Sequence, residues 1–237
     1  MTMTAARSPD LTSDRIFYTG MAAAMAALVF AGFAPTYYLK GYFAAPALNS
    51  LMHAHGLVFT AWLLLFFTQT VLVASNRTDI HRKLGVAGAA LAAIMLPLGV
   101  AVAIQAIRTN HTPPGIDPRS FLALPFFDLA LFAIFIVAGI WLRKQSQAHK
   151  RLMLLATIVM LDAAIARLPG LFALGPIAFF AIQDLFVLAG PLYDVATRRR
   201  VHPAYVWGGL LIVLTQPLRL FISQTTWWLA FGDWLKG

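Results

Sequence analysis

Apolar residues run along this chain in blocks too long for the core of a small soluble domain. About 20 mostly apolar residues in a helix cross the roughly 30 Å of hydrocarbon in a bilayer. Seven segments meet that length: Ile16–Leu39, Leu51–Ala74, Leu84–Ile107, Phe121–Leu142, Leu152–Leu168, Leu171–Leu192 and Ala204–Ser223. The pattern predicts an all-α membrane bundle of seven transmembrane helices, one lead helix followed by three hairpins. Residues 1–15 read as a short cytoplasmic tail carrying Arg7, Asp10, Asp14 and Arg15. Residues 16–223 form the transmembrane domain, and 224–237 a Trp-rich tail at the outer face. The first block has the charged start of a secretory signal, but its run through Tyr37, Tyr38 and Leu39 is long for one, so a retained helix is expected. Only Pro169 and Gly170 part the fifth and sixth segments. Proline resists continuing a helix and glycine tolerates the reversal, so a tight turn is expected there.

Composition agrees with lipid as the main solvent. Of 237 residues, 60% are hydrophobic and 11% charged, against about a quarter charged in a soluble domain. The absence of cysteine excludes disulfides, iron–sulfur clusters and thiolate metal sites. The net charge of +9 needs no nucleic acid, because the basic residues concentrate near the ends of apolar segments, where they set orientation. Twelve (Arg7, Arg15, Arg77, Arg82, Lys83, Arg143, Lys144, Lys150, Arg151, Arg198, Arg199, Arg200) fall on the side of the N-terminus. Six (Lys40, Arg108, Arg119, Arg167, Arg219, Lys236) fall on the other. The split predicts a cytoplasmic N-terminus, an external C-terminus and Trp227, Trp228 and Trp234 anchoring the outer face.

A weak repeat marks the three turns on the basic side. His81-Arg82-Lys83-Leu84, His149-Lys150-Arg151-Leu152 and Arg200-Val201-His202-Pro203 each stand before an outgoing helix. These histidines are expected at the cytoplasmic interface, where imidazole and guanidinium groups sit well among headgroups. Together with His53-Ala54-His55-Gly56, the first two turns resemble a group of small bacterial multi-pass membrane proteins without an assigned activity; the likeness covers roughly residues 50–160. Histidines bracketing helices are also similar to those of transmembrane b-type cytochromes. The spacing differs, since two stacked haems need ligands on one helix about 13–14 residues apart, whereas His55 and His81 are at opposite ends of two helices.

Polar side chains at membrane depth are costly and therefore informative. His55, Asp128, Asp162, Arg167, Gln216 and Arg219 all map to the outer half of their segments, with Gln105 ending the third and Gln183 and Asp184 near the middle of the sixth. The inner half reads as nearly pure hydrocarbon. His53 and His55 point about 200° apart on a helix, so one at most faces the bundle, and the deeper His55 is the candidate. Gln216 and Arg219 share a face and flank the helix-breaking Pro217. The partners of Asp162 and Arg167, five residues apart, are expected on other helices.

These residues predict an outward-facing pocket of His55, Asp128, Asp162, Arg167, Asp184, Gln216 and Arg219 that binds a small anionic ligand or couples to protons. Arginine suits carboxylate or phosphate. His55 beside Asp128 or Asp162 could instead be an acid–base or metal pair. Haem or a metal is possible but not favoured, because one histidine with acids is a poor site. An intramembrane redox or metal enzyme and a structural protein with a packing polar network are the alternatives. Seven segments also do not divide into the inverted halves common in transporters.

Overall fold

The computed structural model describes residues 11–113 and 115–237. Arg7 and Asp10 of the expected tail lie outside the described residues. Among the described residues the chain is all-helical, with no strand. Six helical segments are long and apolar enough to cross a membrane: Thr12–Tyr38, Ser50–Ala74, Thr78–Arg108, Pro118–Trp141, Ile177–Arg198 and Pro203–Ile222.

The helices are α1 (Leu11–Phe33), α2 (Ser50–Ala74), α3 (Thr78–Arg108), α4 (Pro118–Phe121), α5 (Ala123–Trp141), α6 (Ser146–Ile158), α7 (Asp162–Ile165), α8 (Pro176–Arg198), α9 (Pro203–Ile222) and α10 (Thr226–Lys236). Local chemistry sets several of their starts. Asn49 caps α2 by accepting from the Met52 amide at 2.9 Å. His202 caps α9 through Nδ1, which accepts from the Ala204 amide at 3.1 Å. Pro203 follows at the first helical position, where its missing N–H costs nothing. α1 runs directly into a π-helical turn, Ala34–Tyr38, that contains Pro35.

The two ends of the bundle are marked by different contacts. At one end Asp14 of α1 meets Lys150 of α6 and Arg198 of α8, and Arg15 bonds Asn76 in the α2–α3 turn. At the opposite end α10 lies against α3 and α4: Arg108 Nε donates to the Leu235 carbonyl at 2.9 Å and Arg119 pairs with Asp233 at 3.0 Å. These are the Asp14 end and the α10 end of the bundle.

Three expectations are corrected. α1 begins at Leu11, so Asp14 and Arg15 belong to its first turns, not to a tail. Residues 224–237 are mostly helix. Trp227 and Trp234 stay exposed, while Trp228 turns inward and its Nε1 donates to the Arg119 carbonyl at 3.0 Å. The segment expected to span as Leu152–Leu168 is not one helix: α6 passes through a 3-10 turn, Val159–Leu161, into the four-residue α7. This broken segment is the most enclosed part of the molecule, with Leu154, Leu155, Ile158, Leu161, Ala164 and Ile165 all fully buried. Protein on all sides lets irregular backbone stand at this depth. α1 crosses α7 so closely that a Cβ on Gly32 would lie 2.2 Å from the Ala164 carbonyl oxygen.

Candidate functional site

Asp162 stands where the 3-10 turn hands over to α7, and the break aims its carboxylate at α9. There Arg219, with no surface exposed, donates from Nη1 to Asp162 Oδ2 at 2.9 Å and to Asp128 Oδ1 of α5 at 2.7 Å. The guanidinium lies over the Phe180 ring of α8, 5.2 Å from its centre. One arginine nitrogen thus joins three elements and two carboxylates.

The rest of this guanidinium is not used. Arg219 Nε and Nη2 are buried without a hydrogen-bond partner, and so is Asp162 Oδ1. Nε–H and Nη2–H form one edge of the guanidinium fork, the edge that grips a carboxylate or phosphate with two parallel bonds. One turn earlier on the same face, Gln216 donates to Asp184 at 2.8 Å and to Gln183 at 3.3 Å, both on α8.

The other two expected members stand apart. Arg167 is tied to its own turn, donating to the Ala163 carbonyl at 2.6 Å, and lies 4.6 Å over the Phe33 ring. It reaches no acid, because five residues of spacing carry it off the Asp162 face. His55 packs on Phe59, ring centres 4.0 Å apart, and its Nδ1 is buried without a partner. Among the described residues no hydrogen bond joins it to Asp128 or Asp162. A groove of about 380 Å3 between α2 and α3 is lined by Leu51, Ala101, Ile104, Gln105 and Arg108, none of them members of the cluster.

At the Asp14 end, residues expected in the tail and the basic turns form a second buried network. Arg151 and Asp194 are both fully buried there. Arg151 Nε donates to Asp194 Oδ2 at 2.9 Å and Nη2 to Oδ1, a bidentate pair; Nη1 reaches the Gln147 carbonyl at 2.7 Å and its side-chain oxygen at 2.8 Å. Asp194 also accepts from Arg198 and from the His202 amide at 3.0 Å. Asp14 accepts from Lys150 at 2.5 Å, from Tyr193 at 2.8 Å and from Arg198. Tyr18 and Tyr205 hydroxyls meet beside this network at 3.2 Å. The sequence reads Lys150, Arg151 and Arg198 as interfacial; packing turns them inward onto two acids. The available sequence clue was the Asp194–Arg198 spacing, which puts opposite charges on one helix face.

The turn histidines share the Asp14 end. His81 and His149 face each other, ring centres 6.2 Å apart. His202 lies outside the spanning segments, and its imidazole is held below the ordinary histidine range, first by partial burial and then by Arg151. Among the described residues no group of three or more His, Asp or Glu side chains is placed to hold a metal ion. Comparison with protein-family models, curated proteins and solved structures finds no match.

Proposed function

We propose that this chain is a seven-span protein of the bacterial inner membrane that binds a small anion at Arg219 and takes up a proton with it. The observation carrying this reading is the half-used guanidinium: Nη1 clasped by two acids, Nε and Nη2 buried and free. The fully engaged Arg151 is the contrast. A network built only to pack helices satisfies its donors, because each orphaned one costs about 1–3 kcal/mol. Charge supplies the proton. Two ionised carboxylates against one guanidinium already leave an excess negative charge, so an arriving anion is tolerated once a proton joins Asp128 or Asp162. Asp162 Oδ1, lacking any partner, is the open position for it.

In this reading α6, the 3-10 turn and α7 together form the fifth span, broken at the site. The twelve-to-six split of basic residues supports a cytoplasmic Asp14 end, with the α10 end outside. An alkaline phosphatase fused after Trp234 is expected to be active, and one at Lys150 inactive; the reverse pattern inverts the topology.

The function is tested in proteoliposomes enclosing a pH-sensitive dye, with radiolabelled inorganic phosphate or succinate outside. Uptake accelerated by an inward proton gradient, with acidification of the lumen, is expected. Arg219→Lys keeps the charge, removes the fork and should abolish uptake in protein that still folds. No binding of either anion, with Arg219 variants losing only thermal stability, would reduce the cluster to a packing network.

A further inference from the structure

We infer that the groove between α2 and α3 is a lipid site: it seats one acyl chain of an anionic phospholipid and holds the phosphate on Arg108. None of its residues belongs to the Arg219 cluster, so the two sites stand independently. Ala101, Ile104, Gln105 and Arg108 line it from α3, and Leu51 from α2. The α3 residues follow the spacing of one helix face. Arg108 is the last residue of α3, and Ala101 lies about 10 Å further along the helix axis. The lining is therefore ordered, with the cation first, the amide next and apolar side chains last. A phospholipid has the same order, from phosphate through ester to hydrocarbon. The groove's volume of about 380 Å3 falls at the low end of the roughly 300–1,000 Å3 of small-ligand sites. It takes the ester region and the start of one chain, with the rest of the lipid in the bilayer.

Both polar groups of the lining are donors that lack an acceptor. Gln105 Oε1 is buried without a partner, so the amide nitrogen is the part of this side chain that meets the groove. Arg108 is braced by its Nε, which donates to the Leu235 carbonyl at 2.9 Å. That bond fixes the plane of the guanidinium and leaves the two Nη groups for a ligand. Phosphate and ester oxygens only accept, which is what these donors require.

Charge selects the lipid. Among the described residues no acid pairs with Arg108. The nearby Asp117 and Asp233 are both held by Arg119, and Lys236 Nζ donates to the neutral Asn110 at 3.2 Å. Arg108, Arg119 and Lys236 against these two acids leave one positive charge in excess. Basic pockets between spanning helices suit anionic headgroups. A zwitterionic lipid would bring its own ammonium beside Arg108 and Lys236.

Full-length protein, purified in an uncharged detergent and stripped of lipid, should be titrated with phosphatidylglycerol or phosphatidylcholine in mixed micelles, and with glycerol phosphate alone. Native mass spectrometry counts the retained lipid, and the unfolding temperature reports binding. One phosphatidylglycerol per chain should be retained and should raise the unfolding temperature. Phosphatidylcholine should bind at least about tenfold more weakly, and glycerol phosphate, which lacks the chain, should not bind. Arg108→Gln should weaken phosphatidylglycerol about 10- to 100-fold while keeping the wild-type elution volume. Arg82→Gln, at the Asp14 end, should leave it unchanged. Ala101→Phe fills the groove with every charge in place and should weaken binding too, which decides the matter if loss of the Leu235 brace unfolds Arg108→Gln. Equal affinity for the two lipids, protection by glycerol phosphate alone, or full binding by folded Arg108→Gln or Ala101→Phe overturns the site.

Discussion

Arg219 and Asp162 meet through a single nitrogen, leaving two arginine donors and one carboxylate oxygen with nothing to bond inside an apolar bundle. A pair made this way is more sensitive to losing a member than to losing both. Arg219→Ala leaves Asp128 and Asp162 facing each other without a cation and should cost about 3–5 kcal/mol. Asp162→Asn should cost less, since Asp128 still holds Nη1 at 2.7 Å. A double-mutant cycle by thermal unfolding in detergent should show strong coupling between Asp162 and Arg219. Additive losses would mean that the contact contributes nothing.

Phosphate or succinate should raise the unfolding temperature of the wild type and should do nothing for Arg219→Lys. Ligand that binds only the native state stabilises it by mass action. A lysine retains one positive centre, but it lacks the second parallel donor. Equal stabilisation of both proteins would show that the Nε/Nη2 edge is not where the anion docks.

At the Asp14 end the prediction differs in kind. Arg151 is satisfied on all three nitrogens, so its role is to lock α6 to α8. Asp194→Ala strands a fully buried guanidinium and should cost about 3–5 kcal/mol, without changing anion-dependent stabilisation in protein that folds. A loss of that stabilisation in folded Asp194→Ala would tie the two clusters together.

How far the sequence could be read depended on whether a residue's environment was local. Apolar runs made the six long helices legible, and the depth of Asp128, Asp162 and Arg219 within those runs singled them out before any contact was known. Their mutual geometry was not legible, because it rests on the break at Val159–Leu161. Nothing in that hydrophobic stretch distinguishes a 3-10 turn from a continuing helix. Arg167 reads as a pocket member by depth alone; its five-residue spacing from Asp162 turns it off that face, and it bonds the Ala163 carbonyl of its own turn instead. Lys150, Arg151 and Arg198 read as interfacial because basic residues near helix ends normally are. Only tertiary packing against Asp14 and Asp194 turns them inward.

Gly32 should be intolerant of even the smallest side chain. The atom an added Cβ would meet at 2.2 Å is a backbone carbonyl, which cannot rotate away. Gly32→Ala should therefore push α1 off α7 and cost about 1–3 kcal/mol. Gly20→Ala in the same helix meets nothing within 4 Å and should gain slightly, since alanine is the better helix former. Unfolding temperatures of the two variants in one detergent give the comparison; equal values would mean that α1 and α7 are not in tight contact.

His202 gives the fold a pH dependence of defined sign. Burial, then Arg151, holds its imidazole below the ordinary histidine range, and its Nδ1 must stay unprotonated to cap α9 by accepting from Ala204. In the unfolded chain the same group titrates near about 6.5. Between that value and the lower folded one, the unfolded state binds more protons, so stability rises with pH across the window. The cap's contribution is complete above the unfolded value and is lost as pH falls below it. His202→Asn keeps an N-cap acceptor without a titrating ring. It should flatten the slope of unfolding temperature against pH just below about 6.5, with little change at pH 8. An unchanged slope would show that His202 does not make the contact on which this sign depends.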